Sequence, residues 1–417
     1  MDRRLRLGLE SVQTGRNDPD IEAEMVFPER FSNLPEYAFP RLRALLDPHP
    51  AGGEVMHMTI GEPRHAFPDF VAEVVAANAH DFGKYPPNDG TPELLDAICA
   101  WFDRRFGVSL GHDRVTVLNG TREGLYNVAM ALSPETKGGA KPVFLIPNPF
   151  YQVYAVAALS VGAEPVYLNA TAENGFLPDF GSVDPALLDR VTLAYLCSPS
   201  NPQGAVASRD YLAGVIELAE RHDFQLVADE CYSEVWRNTP PPGALAVAAE
   251  MGADPERVVV FHSLSKRSNL PGLRSGFVAG GPESMRRIRQ HRAYSGAPLP
   301  IPLMRAAERV WQDEAHVEAS RLRYVAKYDI ADQVFAGIDG CGAPEAGFFL
   351  WLPVGDGEVA AIKIWRETGV RVLPGAYLSR DDSTGANPGK GFIRIAMVAD
   401  EEDLQRGLTR VRDCLFE

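Results

Sequence analysis

The chain is poor in cysteine, in metal-ligand clusters, in long apolar runs and in positive charge. Its five cysteines (Cys99, Cys197, Cys231, Cys341 and Cys414) are odd in number, far apart and never spaced as CxxC. That excludes a disulfide framework or zinc module as the expected scaffold and points to a reducing, cytoplasmic compartment. The nine histidines are scattered and no HExxH occurs, so no metal is expected. No run approaches the ~18 apolar residues of a membrane span. The basic start MDRRLRLGLESVQTGRNDPDIEAEM has no apolar stretch behind it and does not read as a secretory signal. Lys and Arg number 41 against 56 Asp and Glu, for a formal net charge of −15. Nucleic acid needs a basic face, so it is not an expected partner. No internal repeat or low-complexity tract stands out.

What is present is enough for a large core. The 417 residues are 45% hydrophobic and 23% charged, as in a folded chain of one large or two medium domains. Between residues 85 and 280, the apolar runs RVTVLN, KPVFLIP, EPVYLN, RVTLAYLC, FQLVADE and RVVVFHSL alternate with helical patterns such as TPELLDAICAWFDRRFG and DYLAGVIELAERHD. Nearly continuous apolar strands between helices predict an α/β fold with a mostly parallel sheet covered on both faces. The C-terminal part differs. A helical stretch from about 302 to 335 precedes GFFLWLP, EVAAIKIWRETG, RVLPG and GFIRIAMV, the pattern of a smaller α+β unit. RFSNLPEYAFPRLRALLD, near the start, is expected to pack with it.

Ligands of open α/β sheets bind at the carboxyl ends of strands, and the polar clusters fall there: NGTREG, NPFYQVY, CSPSNPQG, ADECY and HSLSK. Within HSLSKRSNLPGLRSGFVAG, Lys266 stands between an apolar run and a glycine-rich loop, with Ser263 before it and Arg274 after it. Each feature alone has a plain structural reading. Asp229 caps a helix, Asn201 is a turn residue, Gly120–Arg122 is one helix start among many, and Lys266 is a solvated loop lysine. Together they describe one ligand. It has a phosphate (Gly120, Thr121, Arg122, Ser263, Arg274), a protonated ring nitrogen (Asp229) and a ring oxygen wanting donors (Asn201, Tyr232). It also has an aromatic face (Tyr151) and a carbonyl that an amine attacks (Lys266). Pyridoxal phosphate matches all five, and covalent amine chemistry is a standard role of lysine.

Ser263-Leu-Ser-Lys266 with Arg274 and Gly276, then Ser200-Asn201-Pro202 with Gly204, and Asp229 with Tyr232 also form ordered motifs. In these, over about residues 30 to 415, the chain resembles the fold-type I, class I/II aminotransferases. The resemblance implies a large pyridoxal phosphate-binding domain with a mostly parallel seven-stranded sheet flanked by helices, over 63–305. It implies a smaller α+β domain from 26–62 and 306–417, behind an extension at 1–25. It implies that Lys266 holds the cofactor covalently and moves the substrate proton, that Asp229 pairs with the ring nitrogen, and that Asn201 and Tyr232 meet the ring oxygen. Tyr151 stacks on the ring, and the amides of Gly120, Thr121 and Arg122 hold the phosphate with Ser263 and Arg274. Arg394, with Gly61 and Asn201, receives the substrate carboxylate. Tyr85 reaches the cofactor phosphate of the other subunit, which implies a homodimer with shared active sites.

Segments such as IGEPRHAFPDF, SLSKRSNLPGLRSGF and NPGKGFIRIAMV resemble bacterial N-succinyldiaminopimelate aminotransferases of lysine biosynthesis. That implies transfer from N-succinyl-L,L-2,6-diaminopimelate to 2-oxoglutarate. A broad aspartate, alanine or aromatic aminotransferase and a carbon–sulfur lyase are the alternatives. Arg64 and Arg267 are candidates for the distal anionic end, and Phe348 for a substrate-facing ring. Two formal motifs are set aside. Gly107–Gly111 (GVSLG) follows a helix and precedes a strand, the reverse of a nucleophile elbow. Gly385–Gly391 is one residue short of a P-loop and lacks its Ser/Thr.

Overall fold

The computed structural model describes residues 29–417 other than 33, 35 and 383. The expected extension at 1–25, and residues 26–28 of the expected small domain, lie outside these. The strands are β1 (Met56–His57), β2 (Val115–Leu118), β3 (Val143–Asn148), β4 (Glu164–Asn169), β5 (Val191–Cys197) and β6 (Gln225–Asp229). They continue as β7 (Val258–Ser263), β8 (Gly276–Ala279), β9 (Phe349–Pro353), β10 (Val370–Arg371), β11 (Leu373–Pro374) and β12 (Phe392–Ala396).

Seven of them form one sheet in the order β2-β8-β7-β6-β5-β3-β4. The five strands β7-β6-β5-β3-β4 are parallel, and β8 runs antiparallel to both its neighbours. Side chains alternate between two apolar layers, as the pleat demands. Leu226 and Val260 enter a layer with Trp101, Phe102, Ile216 and Trp311. Val227 and Phe261 enter the opposite layer with Leu125, Phe144 and Tyr154. The edge strand β4 alone is only half-buried along its whole length. After β3 the chain adds β4 on one side, then returns to add β5 on the other. That reversal opens a crevice at the carboxyl ends of β3 and β5.

A second unit is built on the antiparallel sheet β11-β12-β9 and the helices Ala315–Val334, Gly357–Thr368 and Glu401–Phe416. Its apolar cluster takes in Leu350, Ile364, Ile395 and Leu408, together with Ala38, Leu42 and Leu46 of the early helix Ala38–Leu46. The parallel pair β1–β10 ties the early segment to it.

The stretch expected as one long helix is two, Ile301–Gln312 and Ala315–Val334. Asp313 breaks it with an extended backbone (φ −102°, ψ 120°), and its carboxylate accepts the amide of His316 at 3.2 Å. The first of these helices buries Met304, Ala307, Val310 and Trp311 against the large sheet. Packing therefore places it with the large unit, and a division at residue 306 falls inside it. No helix among the described residues is long and apolar enough to cross a membrane.

Candidate active site

The short helix Leu264–Arg267 begins directly after β7, with the Ser263 hydroxyl capping the Ser265 amide at 3.1 Å. This fixes Lys266 at the sheet edge. Its amine donates to the Gly61 carbonyl and lies 5.2 Å from the Phe348 ring centroid. Burial brings its pKa down to about 8; Cys231 pulls upward and Arg394 downward, both more weakly. A lysine in this state holds about a tenth of its amine free at pH 7 and about half at pH 8, against roughly one part in a few thousand at pH 7 for an ordinary lysine, and the free amine is the reactive form.

Asp229 ends β6 and is buried. Its Oδ2 accepts the Tyr154 hydroxyl at 2.7 Å and its Oδ1 the Cys231 amide at 3.3 Å. The local structure after it is a turn rather than the helix that a capping role requires. Tyr154 is fully buried and stacks on Tyr195 (4.6 Å between centroids, 18° between planes). Burial and the Asp229 charge push its phenol well up, so it stays protonated and donates. The sequence reading missed Tyr154. Its signal was the spacing of three from Tyr151, which sets the two rings edge to face at 5.8 Å. Replacing Tyr154 by phenylalanine is expected to leave Asp229 Oδ2 short of its donor and to cost ~1.5–3 kcal/mol of stability. A loss below ~0.5 kcal/mol in denaturant unfolding would show that the hydroxyl does not hold the carboxylate.

Across the cavity, the helix Thr121–Leu132 starts at Gly120 without any side-chain cap, so its first N–H groups face outward as an anion cradle. Gly120 has φ +84°, and a Cβ there would overlap the Arg274 guanidinium. Arg274 is itself left-handed (φ 54°) and is anchored to the Pro271 carbonyl at 2.8 Å. Thr121 contacts Cys231 Sγ at 3.2 Å and Ser263 Oγ contacts Ser265 Oγ at 2.9 Å.

Arg394, on β12, brings the small unit into the same cavity. It donates to the Thr59 carbonyl at 2.7 Å and to Asn201 Oδ1 at 3.0 Å, and its guanidinium lies 4.2 Å from the Phe349 ring centroid. Asn201 Nδ2 approaches the Tyr232 hydroxyl at 3.5 Å. Arg394 is buried, no carboxylate pairs with it among the described residues, and its Nε has no partner. Burial lowers its pKa to about 10, with Tyr232 opposing. A buried guanidinium without an anion is costly and calls for one from outside. A Cβ on Gly61 would overlap the Phe349 ring, so the backbone there passes close to the site.

One cavity of about 360 Å³ is thus lined by Gly61, Thr121, Arg122, Tyr151, Asn201 and Asp229, and by Tyr232, Ser263, Lys266, Arg274 and Arg394. Gly120 stands behind it against Arg274. Tyr85 is not among the lining residues and its side chain is wholly exposed. Three expectations need correction. Arg267 is buried, 2.7 Å from Glu314 and packed on Trp101 and Trp311, so it is spent within the fold. Arg64 reaches only the His57 carbonyl, at 3.3 Å, and does not line the cavity. Phe348 is fully buried behind Phe349, and it is Phe349 that lines the cavity. His262 lies 3.0 Å from Glu230 inside an aromatic cluster, a structural position.

The donor set suits pyridoxal phosphate. An uncapped helix start beside Arg274 offers the phosphate site, and only glycine at 120 leaves room for that arginine. Asp229 offers the acid for a ring nitrogen, Tyr151 an aromatic face, and Lys266 the amine.

Comparison with known proteins agrees. The family model "Aminotransferase class I and II" matches residues 53–411. An LL-diaminopimelate aminotransferase of Dehalococcoides mccartyi is 31% identical over 405 residues, 93% of this chain and 98% of that protein. A 4-dedimethylamino-4-oxo-anhydrotetracycline transaminase of Streptomyces rimosus is 32% identical over 369 residues, 87% and 94% of the two chains. The crystal structure of an aminotransferase from Neisseria meningitidis superposes with a TM-score of 0.88 at 36% identity, covering 93% of this chain and 99% of that one. On fold, cavity chemistry and these likenesses, the chain belongs to the class I and II aminotransferases, enzymes that work with pyridoxal phosphate.

Proposed function

We propose that this aminotransferase moves an amino group from N-succinyl-L,L-2,6-diaminopimelate to 2-oxoglutarate, and back, in the diaminopimelate branch of lysine biosynthesis. The observation that carries this reading is electrostatic. A chain of net charge −15 lines its cavity with four cationic side chains, Arg122, Lys266, Arg274 and Arg394, and one carboxylate, Asp229. Such a cavity suits a phosphate plus substrates with more than one carboxylate.

The roles follow from position. Pyridoxal phosphate, when bound, supplies an electron-accepting ring for the pair released at the substrate Cα. Lys266 holds the cofactor and then carries the proton to and from Cα. Asp229, kept in orientation by Tyr154, pairs with the ring nitrogen, and Asn201 with Tyr232 meets the ring oxygen. Tyr151 covers one ring face. Gly120, Thr121, Arg122 (through its amide), Ser263 and Arg274 hold the phosphate. Arg394 grips the substrate α-carboxylate beside Gly61, and a fork of two N–H groups fixes the Cα–H bond in direction. A homodimer with shared sites is part of the proposal, because Tyr85 is fully exposed and outside its own cavity. A monomer in sedimentation at micromolar concentration would remove that role.

Single-turnover absorbance tests the substrate. The holoenzyme is mixed with N-succinyl-L,L-diaminopimelate, LL-diaminopimelate, glutamate, aspartate or alanine, and conversion of the cofactor from its aldehyde to its amine form is followed. The succinylated compound and glutamate are expected to react at least roughly tenfold faster than the others, a difference of ~1.4 kcal/mol in barrier. The relatives named as LL-diaminopimelate aminotransferases support a second reading. Equal or faster reaction of the unsuccinylated compound would favour it, and faster reaction of aspartate or alanine would sink both.

A further inference from the structure

Residues 59–68 form neither helix nor strand, yet two of them, Ile60 and Gly61, line the cavity. Cations from three separate elements hold this segment. Arg394 on β12 donates to the Thr59 carbonyl, and Lys266 after β7 donates to the Gly61 carbonyl. Lys327, in the helix Ala315–Val334, meets the His65 ring, Nζ to Nε2 at 2.7 Å. Asn269 adds only a long contact to the Ala66 carbonyl, at 3.4 Å. The lysine–histidine pair has no part in the reading above. Lys327 is fully buried, and a buried ammonium is costly unless partnered. Among the described residues His65 is the one hydrogen-bond partner of its amine; Glu401 and Asp400 act on it only through space. Burial brings the lysine down to about 8 and the histidine down to about 4, so at neutral pH an ammonium meets a neutral imidazole. An ammonium only donates, so Nε2 accepts and the ring hydrogen sits on Nδ1, which is buried without a partner. The pair stands directly behind the active-site wall. The Tyr324 ring lies 4.9 Å from the His65 ring and 5.2 Å from the Lys327 amine, and it stacks on Phe348 (5.5 Å, 22°). Phe348 in turn packs on Phe349, the ring that Gly61 passes.

We infer that Lys327 and His65 are positioning residues, whose hydrogen bond ties the 59–66 segment to the helix Ala315–Val334 and keeps the Gly61 edge of the cavity in place for the substrate. The other two cations on this segment are those that the reaction employs. An amine committed to the cofactor is withdrawn from the Gly61 carbonyl, and a guanidinium committed to a carboxylate divides its N–H groups between that anion and Thr59. Lys327 touches neither cofactor nor substrate, so its hold is the same before, during and after the reaction. An irregular segment fixed in this way arrives pre-organised, which lowers the entropy lost when the substrate binds. The inference rests on the aminotransferase reading of the cavity, in which a carboxylate lies beside Gly61, and it does not depend on the succinyl group.

The experiment compares the native holoenzyme with His65→Gln and with the double variant His65→Leu, Lys327→Met. Leucine alone would strand a buried ammonium and endanger folding, whereas the double variant removes both partners together. Binding is measured by calorimetry with α-methylglutamate, which has no Cα hydrogen to lose, and the half-reaction is followed with glutamate. If the single-turnover series favours aspartate or alanine, that amino acid and its α-methyl form take their place, so an error in the substrate does not touch the result. In the double variant the dissociation constant of the methylated ligand and the half-saturating donor concentration are expected to rise at least roughly tenfold, the scale of one charge-assisted hydrogen bond. The maximal half-reaction rate and the cofactor dissociation constant should change less than about threefold. His65→Gln should stay within about threefold of the native protein, because its amide oxygen still accepts from the ammonium. Unchanged ligand binding in the double variant overturns the inference. So does a parallel fall in maximal rate and cofactor affinity, which marks a general defect, or a glutamine variant as weak as the double, which shows that the acceptor is not what matters. The two proposals fail separately. If Arg394→Ala leaves donor binding unchanged, the α-carboxylate reading falls; if Arg394→Ala weakens it and the double variant does not, only the Lys327–His65 tie falls.

Discussion

Replacing Lys266 by alanine is expected to lower kcat by at least roughly 10³-fold, because in the proposed reaction one amine serves as both covalent anchor and proton carrier, and proton transfer alone contributes about 10²–10⁴-fold. Borohydride treatment of the native holoenzyme should fix the cofactor to the peptide containing Lys266, and treatment of the variant should fix none. A reducible cofactor linkage that persists in Lys266→Ala would overturn the assignment. The environment of this lysine adds a pH signature. Burial sets its pKa near 8 rather than at the ordinary 10.5. Labelling of the apoprotein at Lys266 by an amine reagent should therefore rise with a midpoint near pH 8. The sign for stability follows. The folded-state pKa is depressed for a cation, so the unfolded chain binds more protons between about pH 8 and 10.5. This group costs stability in full below pH 8, and the cost is relieved as pH rises through that window. A labelling midpoint near 10.5 would mean that Lys266 is solvated and the cavity open to water.

The second large effect belongs to Arg394→Ala. A buried guanidinium that meets its anion only when substrate binds is worth about 2–5 kcal/mol on truncation, or roughly 30- to several thousand-fold in kcat/KM. The loss should fall on every amino donor alike, since all share the α-carboxylate. Arg394→Lys should rescue little, because an ammonium cannot reproduce the fork that engages Asn201, the Thr59 carbonyl and a carboxylate together. Steady-state kinetics with glutamate, aspartate and alanine decide it. A loss confined to one donor would move Arg394 from the α-carboxylate to a side-chain pocket.

Much of this architecture is legible in the chain itself. Apolar runs such as RVVVF and FQLVA are uninterrupted because helices cover both faces of the sheet, and each ends in residues too polar for a core. Ser263, Lys266 and Arg274 sit at fixed offsets because one strand end, one helical turn and one left-handed residue place them, and such local geometry is written in neighbouring residues. Residues read as a set from several strand ends converge on one cavity for the same reason: parallel strands share a carboxyl edge. Where expectation failed, the failure was one of distance along the chain. Arg267 looked free beside Lys266, and its partner Glu314 is 47 positions away. Tyr154 looked like helix core, and its acceptor Asp229 is 75 positions away.

By itself the sequence determined the α/β class, the cavity-lining lysine, acid, asparagine and arginines, and the cofactor whose chemistry unites them. Those depend on residue type at short spacing, and short spacing constrains geometry strongly. Only the tertiary structure decided which of the arginines is spent in a salt bridge and which is buried without an anion. Only it replaced Phe348 by Phe349 at the cavity wall and split the helix at Asp313. The reason is physical: a side chain's availability depends on what the rest of the chain brings against it, and those contacts are long-range.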